Sequence, residues 1–203
     1  MALSLPTTVA PVAIRTPDAD VDPAFVGRWS SRSFSSEPLA PDQVRSLFEA
    51  ARWAPSASNL QPWLFVYADD DETLLRARPI VRDSNRRWAD NAPLLVFVFA
   101  RRKHAKTGED NRLAAFDTGA AWMSLAIQAH KLGLVTHAMG GIHHDRAYEV
   151  LGVPKADYES LCAIAVGRRD AAERLPEDLR ARETPSIRRP VAEFAVRGAF
   201  KGA

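Results

Sequence analysis

The loop between the first long helical pattern and the first strand pattern reads Ala54-Pro55-Ser56-Ala57-Ser58-Asn59-Leu60-Gln61-Pro62-Trp63. Two prolines fix the ends of this loop, and two hydroxyl and two amide side chains lie between them. Side-chain amides both donate and accept hydrogen bonds, which suits a heterocycle edge that alternates carbonyl oxygens with N–H groups. The stretch also fits an ordinary Pro/Ser/Asn turn, and taken alone it favours the turn.

Strand-length apolar runs and helical patterns surround this loop. The predicted strands are Trp63–Ala68, Leu94–Ala100, Leu134–Met139 and Leu161–Val166. The predicted helices begin at Pro23, Pro41, the acidic run 69–72, Asp110 and Asp145, and a late helical stretch covers 191–196. The longest helix, 110–132, is rich in small residues and is expected at the centre of the core. Because helices do not strictly alternate with strands, the sequence predicts an α+β fold.

Length and composition indicate one folded domain. The chain has 203 residues, 46% hydrophobic and 26% charged, which excludes intrinsic disorder. We expect an N-terminal arm over 1–21 and a single domain over 22–203, with a C-terminal extension from about 168. No apolar run approaches the roughly 20 residues of a membrane span, and the first twenty residues predict no secretory signal. The single cysteine, Cys162, excludes an intramolecular disulfide and favours a reducing cytoplasm.

Arginine dominates the cations, although the net charge is only +2. Arg28-x-Ser30-x-Arg32 would project from one side of an extended backbone, as a donor array fitted to a phosphomonoester. Arg188-Arg189-Pro190 places two further cations before a proline near the end. Solvated arginines, or a composition set by a GC-rich genome, remain alternatives for both motifs. Cations alternate with acids along the chain, so the sequence predicts no nucleic-acid surface.

The sequence lacks the motifs of several other enzyme classes. Met139-Gly140-Gly141 would let a backbone N–H approach a flat ligand, but no dinucleotide-binding or P-loop glycine pattern occurs. The histidines His137, His143 and His144 lack metal-ligand spacing, so we expect no metal site. Gly-x-Ser-x-Gly is absent, and we therefore assign no catalytic side chain.

These motifs, taken in order, resemble the nitroreductase family of flavoproteins. The resemblance rests on residues 28–34, the 54–63 loop, Gly119-Ala120-Ala121, Gly140-Gly141 and Arg188-Arg189-Pro190, and covers roughly 22–197. It implies an α+β fold with a mixed central sheet flanked by helices. It further implies an intertwined homodimer with FMN at the interface.

The resemblance also implies roles for particular residues. The FMN phosphate and ribityl chain would be held by Arg28, the Trp29 backbone, Ser30, Arg32, Arg188 and Arg189. The loop contacting the flavin from the other subunit would include Pro55, Ser56, Ala57 and Asn59, with Asn85 at the pyrimidine edge and Met139, Gly140 and Gly141 facing flavin N5. Many members carry a lysine three residues after that asparagine. Here Trp88 occupies the position, beside Arg86 and Arg87, so the cation near flavin N1 and O2 is left open.

The implied activity is ping-pong hydride transfer from NADH or NADPH, through FMN, to a small electron-poor aromatic such as a nitro compound or quinone. Hydride transfer between cofactors needs stacking and exclusion of water more than a protein acid or base. Two alternatives remain: a flavin-consuming or dehalogenating branch of the same superfamily, and a non-catalytic flavin-binding redox regulator. No DNA-binding module accompanies the domain, which ranks the regulator lower.

Overall fold

The four predicted strands form one sheet. The computed structural model describes residues 15–200, so 1–14 of the predicted N-terminal arm and 201–203 lie outside the described part. The strands are β1 (Trp63–Ala68), β2 (Leu94–Arg101), β3 (Val135–Met139) and β4 (Tyr158–Gly167). Their order is β1-β2-β4-β3, which places β1 and β3 at opposite edges.

The resemblance implies a mixed sheet, but every pair of neighbouring strands in the described chain is antiparallel. Strands β2 and β3 do run in the same direction, and the long helix between them makes the crossover that parallel strands require. Strand β4 lies between β2 and β3 and is antiparallel to both. The sheet therefore keeps a crossover connection without a parallel pairing.

Seven α-helices cover the sheet within residues 15–200: α1 (Pro23–Gly27), α2 (Pro41–Arg52), α3 (Asp71–Ala77), α4 (Asp83–Ala89), α5 (Ala114–Lys131), α6 (His144–Leu151) and α7 (Glu177–Arg180). Short 3-10 turns occur at Ala57–Asn59, Arg78–Ile80, Ala172–Arg174 and Val191–Glu193. The last of these replaces the late helical stretch expected over 191–196. Asp70 caps α3 by accepting a hydrogen bond from the Thr73 N–H at 2.8 Å, as the acidic run predicted.

Two apolar layers enclose the sheet. Alternate residues of β2 face opposite sides: Val96 lies in the layer with α2 and α5, and Phe97 lies in the layer with α3, α4 and α6. Because β2 is buried on both faces, its sequence is a continuous apolar run rather than an alternating one. None of the helices between residues 15 and 200 is long and apolar enough to cross a bilayer.

Part of the apolar surface remains outside these layers. Phe116, on α5, is 77% exposed, and Ile187, in the C-terminal extension, is also 77% exposed. Leu113, Phe194 and Phe200 are exposed as well. Exposed apolar side chains of this size are candidates for an interaction surface where they lie side by side.

Candidate functional site

Residues 28–33 form an extended segment with two distinct sides. Arg28 has φ −68° and ψ 129°, and burial alternates from there, with Trp29, Ser31 and Ser33 buried. Arg28, Ser30 and Arg32 are partly exposed on the other side. The prediction that these three side chains share one side is confirmed. Four residues of extended chain separate Arg28 from Arg32 by roughly 13 Å.

A buried carboxylate holds this segment in place. Glu183 is 5% exposed and accepts a hydrogen bond from the Ser31 hydroxyl. It also accepts from the backbone N–H of Arg32, at 2.9 Å, and of Ser33, at 3.2 Å. The Ser33 hydroxyl donates to the Ala171 carbonyl at 2.6 Å. The start of the C-terminal extension therefore fixes which side chains of 28–33 face outward.

A cavity of about 980 Å³ lies beside Arg28. We call it the arginine cavity, because its lining includes Arg15, Arg28, Arg188 and Arg189. Within residues 15–200, none of these four arginines is within ion-pair distance of a carboxylate. Arg15 and Arg28 are partly buried, whereas Arg188 and Arg189 are exposed. Unpaired, partly buried cations are costly, and an anionic ligand would offset that cost for Arg15 and Arg28.

The arginines of this cavity are close enough to repel one another. Burial, followed by repulsion from Arg188, lowers the pKa of Arg28. Burial, then Arg188 and Arg28, lowers the pKa of Arg15. Both guanidinium groups stay protonated at neutral pH, so the cavity presents a concentrated positive charge.

Arg32 lies in a different environment from Arg28. Its guanidinium carbon is 6.0 Å from the centre of the Trp88 ring, and its Nη1 donates to the Arg182 carbonyl at 3.3 Å. Burial and then repulsion from Arg182 lower the pKa of Arg32, while Glu183 raises it. The structure thus separates the predicted cations into a group at the arginine cavity and Arg32 near Trp88.

Trp88 is a core residue, 2% exposed. It stacks on Phe34, with ring centroids 6.1 Å apart, and contacts the His137 ring at 4.5 Å. The neighbouring cations Arg86 and Arg87 are engaged by carboxylates: Arg86 by Asp90 at 3.1 Å and Arg87 by Asp178 at 2.6 Å. Of Arg32, Arg86 and Arg87, only Arg32 has no carboxylate within ion-pair distance in residues 15–200.

His137 supplies a pH-dependent element next to Trp88. Burial, only partly offset by the Ser31 carbonyl 3.0 Å from Nδ1, lowers the pKa of His137 to about 4. Between pH 6.5 and 4 the unfolded chain therefore binds a proton that the folded chain does not.

We expect acidification through that window to lower the free energy of unfolding by about 2–3 kcal/mol through His137 alone. The His137→Asn variant keeps a side-chain donor but cannot titrate, so its stability should change less between pH 7 and 4. Urea unfolding at several pH values measures both slopes, with His143→Asn, at an exposed histidine, as control. Equal slopes for the wild type and His137→Asn would contradict the assignment.

Asn85 and Gly141 meet at the end of β3. The Asn85 Nδ2 donates to the Gly141 carbonyl at 3.3 Å, and the Arg82 N–H donates to the same carbonyl at 3.0 Å. A Cβ on Gly141 would lie 2.5 Å from Asn85 Nδ2, so a side chain there would displace the amide. Met139 is buried and Gly140 is exposed. The predicted pyrimidine-edge and N5-facing residues are thus neighbours, which fits a planar ligand lying against backbone.

The 54–63 loop has an unusual backbone. Ser58, Asn59 and Gln61 have φ values of 50°, 55° and 47°, although none of them is glycine. Each such residue costs roughly 1–3 kcal/mol and persists only where the surroundings enforce it. The Ser56 hydroxyl accepts from the Gln61 N–H at 3.0 Å, and the buried Asp117 carboxylate accepts from the Ala57 N–H at 3.1 Å. The loop is held in one shape, with the amides of Asn59 and Gln61 exposed.

One chain does not bring all the predicted site residues together. The 54–63 loop leads into edge strand β1, whereas Met139, Gly140 and Gly141 end the opposite edge strand, β3. Three strand spacings separate those edges by about 14 Å. The arginine cavity includes none of Pro55, Ser56, Ala57 and Asn59 among its lining residues.

Sequence reasoning missed three residues that shape the site. Glu183 is flanked by Arg182 and Thr184 and has the local pattern of a solvated tail. Asp117 gave a usable signal, because a carboxylate is unusual in a helix of small apolar residues. Arg15 stands alone in a proline-rich arm, and nothing nearby in sequence indicates a partner.

The remaining reactive residues give no further centre. No group of three or more His, Cys, Asp or Glu residues able to hold a metal occurs in residues 15–200. His144 Nδ1 lies 3.0 Å from the Ser160 hydroxyl. Burial raises the pKa of Cys162 to about 11, which disfavours the reactive thiolate at neutral pH.

The sheet with helices on both faces is an α+β fold. Four arginines from the N-terminal and C-terminal parts of the described chain line one cavity, and such a lining suits an anionic ligand. The profile of the nitroreductase family matches residues 26–87 and 81–168, so the chain belongs to that family. A solved structure described as an oxidoreductase containing FMN is 40% identical, with a TM-score of 0.90 over 97% of this chain and 100% of that one.

Curated relatives are more distant. The Bacillus subtilis protein named FMN reductase (NAD(P)H) is 26% identical over 170 residues, which are 73% of this chain and 67% of that protein. A Rhodopseudomonas palustris protein is 30% identical over 82 residues, which are 40% of this chain and 42% of that protein. That second match spans less than half of either protein.

Proposed function

We propose that this protein is an FMN-dependent oxidoreductase that takes reducing equivalents from NADH or NADPH. The observation that carries the proposal is the arginine cavity, where Arg28 and Arg188 meet without a carboxylate partner in residues 15–200. Family membership and the names of the FMN-containing structure and the B. subtilis FMN reductase support the same cofactor.

In this proposal the chain's residues bind and orient FMN, and the cofactor supplies the chemistry by accepting and then donating a hydride equivalent. Arg28 and Arg188, with Ser30 and Arg189 beside them, hold the phosphate. Arg32, roughly 13 Å further along the extended segment, contacts the ribityl chain or the pyrimidine end. Asn85 and Gly141 lie against the flavin ring, and their contact keeps backbone atoms, rather than a side chain of residue 141, next to that ring.

We further propose that the site is completed by a second copy of the chain. The 54–63 loop and the end of β3 lie at opposite sheet edges, so the loop would reach a flavin held by the partner. The exposed Phe116 and Ile187 give such a homodimer an apolar surface to bury. The strained loop backbone supports a contact role, because strain of this kind clusters at binding sites.

The proposed acceptor is a small electron-poor aromatic, such as a nitro compound or a quinone. In a ping-pong sequence the oxidised nicotinamide leaves first, and the acceptor enters the same space. Hydride donation by the nicotinamide involves no proton transfer by a side chain, so in that step the protein's contribution is stacking, orientation and exclusion of water. The proton that the acceptor takes up in the second step can come from solvent.

The experiment that tests this proposal begins with the absorbance of the purified protein and an FMN titration followed by flavin fluorescence. We expect tight FMN binding, then bleaching of the flavin absorbance by NADH or NADPH under anaerobic mixing, and reoxidation by a nitroaromatic or quinone. A protein that binds no FMN would overturn the proposal. Bound FMN that neither nicotinamide reduces would favour a redox regulator, and reoxidation by oxygen alone would favour a flavin-consuming branch.

A further inference from the structure

Arg15 joins the first described residues of the chain to the C-terminal extension. Its Nη1 donates to the carbonyl oxygens of Val26, at 2.9 Å, and Arg28, at 2.7 Å. Its Nε donates to the Ser186 carbonyl at 2.9 Å. These three bonds fix the guanidinium group between the end of α1 and the tail that carries Arg188.

The bonds leave part of this guanidinium group available. Nη1 and Nε are used, whereas Nη2 has no hydrogen-bond partner among residues 15–200. Arg15 lines the arginine cavity together with Arg28 and Arg188. A rigidly held guanidinium group that lines a cavity together with other arginines is suited to binding a tetrahedral oxyanion.

Charge balance in the cavity favours the same ligand. Four arginines and two aspartates, Asp18 and Asp20, line it, and Asp18 is engaged by the Val191 N–H at 2.8 Å. The lining therefore carries a net charge of about +2, and a phosphomonoester carries about −1.5 to −2 at neutral pH. Removing Arg15 would lower the net charge of the lining to about +1.

We propose that Arg15 is a phosphate-binding residue that contacts the same phosphomonoester as Arg28 and Arg188. This inference rests on the proposed FMN site and adds the N-terminal arm to it. Because Arg15 also bonds to backbone, its role as a ligand must be separated from its role in holding the tail.

The test compares FMN with riboflavin, which lacks the phosphate, on the full-length apoprotein by fluorescence titration. For Arg15→Gln we expect FMN affinity to fall about tenfold or more, and riboflavin affinity to change by less than about twofold. Arg146→Gln removes an exposed arginine on α6 and should change neither affinity. Inorganic phosphate should compete with FMN less well in Arg15→Gln than in the wild type.

The outcomes are distinguishable. Because the tail carries Arg188, an Arg15 that only holds the tail would also weaken FMN selectively, so Arg15→Gln is compared in the wild-type and the Arg188→Ala backgrounds. For a direct contact we expect a further severalfold loss of FMN affinity in the Arg188→Ala background. No further loss there, equal weakening of FMN and riboflavin, or unchanged FMN affinity in Arg15→Gln would overturn the inference. If Arg15→Gln does not fold, Arg15→Lys serves instead, because it keeps the charge but lacks the paired donors of the planar guanidinium group. It should lower FMN affinity by a few fold and leave riboflavin affinity unchanged. A wild-type protein that binds no FMN would overturn the proposed function itself.

Discussion

Replacing Glu183 with alanine is expected to lower the free energy of unfolding of the apoprotein by about 3–4 kcal/mol. The carboxylate is buried and accepts from the Ser31 hydroxyl and from the N–H groups of Arg32 and Ser33. Its removal leaves three donors without their acceptor in a place that water reaches poorly. Urea unfolding followed by tryptophan fluorescence measures the loss.

Two matched variants separate this effect from a general change in charge. Glu183→Gln keeps the shape and one acceptor oxygen, so its loss should be intermediate. Glu173→Ala removes an exposed carboxylate from the same extension and should change stability by no more than about 0.5 kcal/mol. A Glu183→Ala loss below about 1 kcal/mol would mean that the carboxylate does not hold residues 31–33.

The second large effect is expected for the pair Arg28→Ala and Arg188→Ala. Each substitution removes a charge-assisted contact worth roughly 1.5–3 kcal/mol, which is about a tenfold to hundredfold loss of FMN affinity. Together they should weaken FMN about 10²- to 10⁴-fold, and less if the two contacts depend on each other. Riboflavin affinity should stay within a few fold, because the cations bind only the phosphate.

The same titrations supply the controls for this prediction. Arg28→Lys keeps the charge without the planar fork and should fall between the wild type and Arg28→Ala. Arg45→Ala removes an exposed arginine on α2 and should have no effect. FMN affinity unchanged in the Arg28→Ala/Arg188→Ala variant would place the phosphate elsewhere than in the arginine cavity.

Local periodicity made much of the fold predictable. The bounds of β1 match the expected strand, and β2 and β3 differ from the expected strands by one residue at one end. The alternating burial of residues 28–33 follows from an extended backbone, in which successive side chains point to opposite sides. Helix α5 was identified by its small residues and begins a few residues later than expected.

Long-range placement was not predictable in the same way. The insertion of β4 between β2 and β3 depends on where a later strand docks, and no local pattern encodes it. Helix α4 lies in an arginine-rich stretch, and its buried tryptophan, Trp88, determines which side of the helix faces the core. Glu183 and Arg15 acquire their roles only through partners far along the chain, so their sequence surroundings resemble ordinary surface.

The candidate site shows the same division. The loop 54–63 and residues 28–32 carried recognisable patterns, because prolines, amides and alternating cations are local features. That the loop and the arginine cavity serve one cofactor remains a proposal, because a single chain keeps β1 and β3 at opposite edges. A shared site of this kind requires a second copy of the chain.

A complementation measurement shows whether two chains share one FMN site. One chain carries Arg28→Ala/Arg188→Ala and the other carries Ser56→Ala/Asn59→Ala, with different tags so that the heterodimer can be purified. We expect both homodimers to bind FMN weakly. The heterodimer should bind one FMN with wild-type affinity, because one of its two sites combines intact arginines with an intact loop. A heterodimer without any site of wild-type affinity would show that each chain binds FMN alone and would contradict the account.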